Sequence, residues 1–505
     1  MKILLVDPPA LTDDYDKAYP NIGLLHLVSY LRTHTPLTNA DIFLLDPFHT
    51  IEDHIRAIER IQPAIYGISF AFLTQRIACE TIRAVKRRFP GLLVIAGGPH
   101  PTSAFRDVLD NTAADLVAIG EGEVTLTDVV RKVLAGDRDF LAVPGLALRV
   151  NGRVQVNPPR PLIKDLDTLP FPAWERIDFP RFTGQHYCRS SRQACIVISR
   201  GCPFRCTFCS LPVWRVSRPY VRLRSAENIA GEVDRLYGLG VREIKIVSDE
   251  INAALPWAKQ VCRAILALGH KDLHFQANLR AWPIDDELAD LFRRINLWLV
   301  HLGCESANDR VLAGIQKKVS VRQMEHCLKI LKRNRIRTLL FMMAFNLWEE
   351  KGRLCRESPA EVWNSLAWAW KQFLLRRISY MTWSIATPMP GAPLYEIAER
   401  HGLRPAEQVL ANWDRNKDYL GIDLAPLGVS RFARVSLLRA GILSKACFML
   451  ASGRFDWRRN LFRIGILLRS FLDNHLPRGR NPDPTVAPVP FHAGVESCPT
   501  RVWGS

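Results

Sequence analysis

Three cysteines fall within eight residues of one another in the run SRGCPFRCTFCS at 199–210, where Cys202, Cys206 and Cys209 are separated by gaps of three and two residues. Thiolates at that spacing let a short loop wrap one face of a 4Fe-4S cubane, each sulfur reaching a different corner. Protein thiolates usually hold all four irons, so a trio leaves one iron open to a small-molecule ligand. A zinc site would want a fourth Cys or His at ligand spacing, and the nearest candidates, Cys188 and Cys195, precede the loop without a paired CxxC. A structural disulfide belongs to an oxidising compartment, whereas the chain reads as one without a signal peptide and its twelve cysteines are otherwise scattered. Cys79, Cys262, Cys304, Cys327, Cys355, Cys447 and Cys498 read as ordinary buried or incidental thiols.

The loop is framed by strand and helix signals. Residues 194–199 (ACIVIS) are a short apolar, β-branched run that predicts a strand ending at the cysteines, and Ser225 begins a capped amphipathic helix. The next strand, 243–247, ends in Ser248, Asp249 and Glu250. Polar groups at the carboxyl end of a buried strand are where α/β folds place their sites. Further strands are predicted at 274–280, at 298–306 (ending in Gly303, Glu305 and Ser306), at 338–345 and at 379–387. Strand and helix alternating at this spacing imply parallel strands with right-handed crossovers.

This order resembles the partial barrel of six βα units in the radical S-adenosylmethionine (SAM) superfamily, over about residues 195–403. The resemblance implies a 4Fe-4S cluster on Cys202, Cys206 and Cys209 whose open iron is chelated by SAM, and cleavage of SAM to a 5'-deoxyadenosyl radical. Phe208 matches the aromatic position that packs near the SAM adenine. Asp249 and Glu250 fall where the family binds the methionyl amine, and Glu305 with Ser306 falls in its Gly-x-Glu-Ser segment. The run TPMPGAPL at 387–394 looks like the segment that closes the last unit. The fifth strand departs from the pattern: it ends MAFNLW at 343–348 where many relatives carry Gly-x-Pro-Gly-Glu, so no SAM contact is assigned there.

The first 140 residues form a separate α/β pattern. A buried strand at 2–6 runs into Asp7, Pro8 and Pro9, residues 22–31 have helical apolar periodicity, and strands follow at 41–45, 65–70, 92–96 and 116–119. Five such units suffice for one doubly wound, Rossmann-like domain. Its strand ends carry small residues: Asp7 and Pro8, Ser69 and Ala71, Gly97, Gly98 and Pro99, then Gly120, Glu121 and Gly122. Such residues let a ligand approach the backbone at the carboxyl edge of the sheet. Neither GxGxxG nor GxxxxGK(S/T) is present, which argues against the usual dinucleotide and P-loop sites.

With NIGLL at 21–25, GGPHP at 97–101 and GEGE at 120–123, this segment resembles the cobalamin-binding domain fused ahead of the barrel in cobalamin-dependent radical SAM enzymes. The strand-end residues just named are then the expected cobalamin contacts. No Asp-x-His-x-x-Gly motif occurs, so the resemblance implies no protein histidine on cobalt, and His100, beside two prolines, reads as structural.

The expected organisation is thus α/β: a Rossmann-like cobalamin-binding domain at 1–140, a proline-rich strap at 141–190 with a hairpin at Asn151 and Gly152, a TIM-like (β/α)6 radical SAM barrel at 191–403, a basic α-helical region at 404–480, and a disordered tail at 481–505. Between 431 and 480 eleven Lys or Arg face two Asp, a net +9 that is half of the chain's formal +18. Interleaved aliphatic residues across 431–472 suit peripheral contact with an anionic membrane or an amphiphilic substrate more than nucleic acid, and a helical cap whose basic face meets water stands beside both. No stretch is apolar enough to span a bilayer.

Function follows from the resemblance. The favoured reaction is methylation of an unactivated carbon of a small-molecule or lipid-like substrate through the 5'-deoxyadenosyl radical and methylcobalamin. A non-methylating cyclase or oxidoreductase, as in ring closure on a porphyrin side chain, is the alternative, and a non-catalytic cofactor carrier is the third class. The expected setting is a cytoplasmic monomer served by a flavodoxin- or ferredoxin-type one-electron reductant, with attachment to the inner face of the membrane as an open option.

Overall fold

The first four-residue strand shows why the N-terminal sheet is buried on both sides. In β1 (Ile3–Val6), Ile3 and Leu5 enter one apolar cluster while Leu4 and Val6 enter another across the sheet, as strands covered on both faces by helices require. The computed structural model describes residues 1–10, 19–182 and 188–403. β1 pairs in parallel with β2 (Ile42–Leu45) and β3 (Ile65–Ser69), and β4 (Leu93–Gly97) and β5 (Leu116–Ala118) continue the parallel set. The order β2-β1-β3-β4-β5 reverses direction between β1 and β3, and ligands of open α/β sheets bind outside the carboxyl ends at such a switch point.

The sheet does not stop at its fifth strand. β6 (Leu146–Val150) adds antiparallel to β5, and β7 (Arg153–Val156) antiparallel to β6. They are turned by Asn151 (φ 48°) and Gly152 (φ 78°), the left-handed pair that a two-residue hairpin requires. The proline-rich segment therefore begins as part of the sheet. It then crosses to the second domain, where the buried Trp174 donates its indole N–H to Glu232 (2.8 Å), which also takes Arg224. Leu25, from the helix Ile22–His34, joins the apolar cluster of the second domain.

That second domain holds six strands in sequence order, all parallel: β8 (Gln193–Ile196), β11 (Glu243–Ile246), β12 (His274–Arg280), β13 (Leu297–Glu305), β14 (Arg337–Ala344) and β17 (Tyr380–Ile385). Helices between them start where the side chains supply caps. Ser225 accepts from Asn228 N–H, and Ser320 with Gln323 and Ser358 with Glu361 form reciprocal boxes. The doubly wound sheet and the partial barrel expected from the sequence are both present.

Two short pairs decorate the barrel. β9 (Ser199–Arg200) and β10 (Arg222–Leu223) run antiparallel and bracket the cysteine loop. After β14, where the sequence departs from its relatives, a hairpin of β15 (Leu347–Glu350) and β16 (Arg353–Arg356) lays Trp348 over Gly314. The described residues all fall within one compact unit. Residues 404–480, 481–505 and the basic stretch 431–472 lie outside the described residues. Among those described, no helix is long and apolar enough to cross a membrane.

Candidate active site

The cysteine loop leaves β9 through Gly201, whose φ of 87° and tight approach to the Tyr220 carbonyl leave no room for a Cβ. The loop is then held at both its ends and its middle. Arg215 donates to the carbonyls of Cys202 and Phe204, Cys209 N–H to Cys206 O, Thr207 N–H to Ile315 O (3.0 Å), and Leu394 N–H to Thr207 O (2.8 Å). Leu394 belongs to the closing segment TPMPGAPL, so that segment clasps the loop. Cys202 and Cys206 are buried and Cys209 partly so, all three as free thiols.

Around the loop the barrel gathers charge. Asp249 accepts the Gly201 N–H, and burial raises its pKa. Burial likewise pushes Glu250 up to about 7 against the pull of Lys317 and Arg280. Glu305 adopts a left-handed φ of 67° where the β13–β14 register slips, and Lys317 reaches it at 3.0 Å. Burial opposes the charge on Lys317, yet Glu305, Cys206 and Glu250 together raise its pKa. A strained backbone held in place by its surroundings is characteristic of functional sites. Phe208 packs on the cluster of Val311, Ile315 and Trp348 with the Lys317 ammonium 5.7 Å from its ring.

Ser306, the neighbour of Glu305, is used elsewhere. It is fully buried, with its hydroxyl engaged by Glu357, Ser365 and Asn308. Two cations that sequence reasoning did not assign complete the site, Lys317 and Arg280. The Arg280 side chain is 1 % exposed, stacks on Phe204 and comes no nearer than 3.6 Å to Glu250. All three of its guanidinium nitrogens are buried without a hydrogen-bond partner.

These side chains fit the implied groups. Burial pushes the Cys202 thiol up to about 12 and the Cys209 thiol up to about 11, so neither is a free nucleophile near neutrality, but coordination deprotonates a thiol outright. Among the described residues no three His, Cys, Asp or Glu gather at single-ion distances, and a cubane with thiolates at separate corners does not ask them to. A buried guanidinium whose one ion-pair contact among the described residues is the long approach to Glu250 has hydrogen-bond capacity left for an anion, and the carboxylate of SAM is one.

The sheet edge expected to meet cobalamin is assembled from four strand ends. Asp7 accepts from Asn21 (2.6 Å) beside the buried Pro8, and Ser69, Ala71, Gly97, Gly98 and Pro99 follow β3 and β4. Gly98 has φ 101°, and a Cβ there would meet the Phe70 carbonyl at 2.8 Å and Ser69 Oγ at 2.9 Å, so only glycine keeps this cradle open. Gly120 N–H bonds Thr102 Oγ1 (3.1 Å), with open space where its Cβ would stand. His100 is buried against Phe70 and Phe72, its ring nitrogens are unpartnered, and burial lowers its pKa to about 4.

Glu121 is placed differently from the other expected cobalamin contacts. Its two oxygens take Arg200 (3.0 Å), Arg222 (2.8 Å and 3.0 Å) and the Ile163 N–H (2.9 Å), all from beyond the domain. Glu123 takes the other end of Arg200 at 2.5 Å. Burial pushes the Glu123 carboxyl up, but the charge and hydrogen bond of Arg200 win and hold it at about 2. Gly122, between them, approaches Leu27.

Residues 196–351 match the Radical SAM superfamily and residues 10–130 match the B12 binding domain family. The chain is a radical SAM enzyme with a B12-binding domain. It is 28% identical over 409 residues to an uncharacterised methyltransferase of Pyrococcus horikoshii, covering 80% of this chain and 84% of the relative. It is also 28% identical over 356 residues to the anaerobic magnesium-protoporphyrin IX monomethyl ester cyclase of a Synechocystis species, covering 67% of this chain and 68% of that one. Among solved structures, the radical SAM methyltransferase TsrM from Kitasatospora setae, determined with cobalamin and a 4Fe-4S cluster, superposes with a TM-score of 0.63 at 17% identity, covering 79% of this chain and 75% of the other. The radical SAM enzyme therefore shares the arrangement of B12 domain and barrel with a protein known to hold both cofactors.

Proposed function

We propose that the enzyme methylates an unactivated carbon of a small-molecule or lipid-like substrate. The observation that carries this reading is the contact of Gly391, in the turn that clasps the cysteine loop, with Ser103, four residues beyond the Pro99 that ends the cobalamin edge. That contact supports a reading in which the cobalamin edge lies beside the cluster loop. When bound, the cluster with SAM supplies a hydrogen-abstracting 5'-deoxyadenosyl radical and cobalamin supplies a methyl group. The protein's own work is to bind and orient. Cys202, Cys206 and Cys209 would hold the cluster, Arg280 and Lys317 would meet the anionic end of SAM, and Glu250 and Asp249 would take its amine. Phe208 borders the adenine, and the strand-end glycines seat the corrin. Burial of this charged ring keeps water out of the site, so its ion pairs act in a low-dielectric surrounding. A flavodoxin- or ferredoxin-type reductant would deliver the electron to a monomeric enzyme.

The test is to incubate cluster-reconstituted protein with cobalamin, reductant and SAM carrying a labelled methyl. Formation of 5'-deoxyadenosine together with transfer of label to cobalamin is expected, and failure of both overturns the reading. A cyclase or oxidase reading is favoured by the similarity to the protoporphyrin ester cyclase, which is as close in identity as the methyltransferase. Product mass separates them: one added methyl supports methylation, and loss of hydrogens or gain of oxygen supports the other.

A further inference from the structure

Arg200 and Arg222 stand directly opposite each other in the β9–β10 ladder. Like charges in that position repel, and these are 19% and 4% exposed, so burial adds to the cost unless both are paired. Their carboxylate partners come from the other domain: both guanidiniums reach Glu121, and Arg200 also reaches Glu123. Among the described residues, the carboxylates that neutralise the ladder bracketing the cysteine loop come from the GEGE segment of the B12-binding domain. Only Gly201 separates Arg200 from Cys202, and Gly201 is wedged against Tyr220, two residues from Arg222. A displacement of Arg200 must be passed to the first cluster ligand.

We infer that Arg200 and the acid pair Glu121 and Glu123 are positioning residues that couple docking of the B12-binding domain to the geometry of the cluster loop. In this arrangement the GEGE acids serve the cluster, across a domain boundary, instead of touching the corrin. The inference rests on the cysteine loop holding a cluster, and one arm of its test needs no cofactor.

Amide hydrogen exchange of the apo-protein is compared for the wild type, Glu121→Gln, Glu123→Gln, Arg200→Gln and Arg200→Lys. Electron paramagnetic resonance of the reduced, SAM-loaded cluster is recorded on the same set. Glu121→Gln, made in one domain, is expected to speed exchange of the β9 and β10 amides in the other by tenfold or more and to change the cluster line shape. Arg200→Lys, which keeps the charge, is expected to recover part of what Arg200→Gln loses. Combining Arg200→Gln with Glu123→Gln is expected to add little beyond Arg200→Gln alone, because removing the guanidinium already removes the Glu123 link. Glu123→Gln preserves side-chain shape and carries the test if Arg200→Gln does not fold. Unchanged β9–β10 exchange and an unchanged spectrum in folded Glu121→Gln and Glu123→Gln overturn the inference. A wild type without a cluster signal overturns the cluster reading instead, and the exchange arm still decides the coupling.

Discussion

The guanidinium carbon of Arg280 lies 3.6 Å from the centroid of the Phe204 ring, which joins the end of β12 to the middle of the cysteine loop. Stacking on an aromatic face satisfies the cation's plane and leaves its N–H fork unspent.

That unspent fork predicts a binding defect. Arg280→Met should weaken SAM binding by at least about tenfold, since a charge-assisted hydrogen bond contributes about 1.5–3 kcal/mol. Iron content should stay at the wild-type level. Equilibrium dialysis with labelled SAM, alongside iron analysis, checks both.

Cys206→Ala should do the reverse. Two thiolates cannot hold three corners, so reconstituted iron and sulfide should fall and reductive cleavage of SAM should drop to background. The fold should survive, because the loop is held by backbone hydrogen bonds at Thr207 and by Arg215 and not by sulfur.

Gly98→Ala tests the cobalamin edge. The residue sits at φ 101° with backbone 2.8 Å from any Cβ, so alanine should cost at least about 1 kcal/mol and reduce the cobalamin retained after gel filtration. Gly136→Ala, at φ 74° with nothing near its Cβ, carries backbone strain without a clash and should retain cobalamin.

Acid lability follows from His100. Its pKa is depressed by burial from 6.5 to about 4, so the unfolded chain binds the proton first as pH falls. The contribution to stability is present above about pH 6.5 and is lost progressively as pH drops toward 4. His100→Phe removes no hydrogen bond and keeps a ring among Phe70 and Phe72. It should shift the acid-unfolding midpoint of the apo-protein, followed by circular dichroism, to lower pH.

The strands and the cluster loop were legible because their signals are local. Buried parallel strands are short apolar runs, helix starts such as Ser225 and Ser358 carry their caps beside them, and CxxxCxxC lies within one loop. The places of Asp249, Glu250 and Glu305 beside the loop were readable for the same reason, each standing at or just past the end of a strand. Arg280 was seen at a strand end but given no role, and Lys317 gave no signal. Their meaning arises only when β12 and the segment after β13 converge on the loop. Glu121 looked like one more strand-end residue, and its partners, 79 and 101 positions away, are beyond any reading of spacing. The β15–β16 hairpin was marked only by the departure at 343–348, since two four-residue strands are too short to show a period.

Leu25 belongs to a helix of the first domain yet lies in the apolar cluster of the second, with its carbonyl accepting the Ala173 N–H at 3.2 Å. A chimera that borrowed its corrin-binding half from a relative would have to import a matching knob at this position, so the two halves have to be exchanged as a pair.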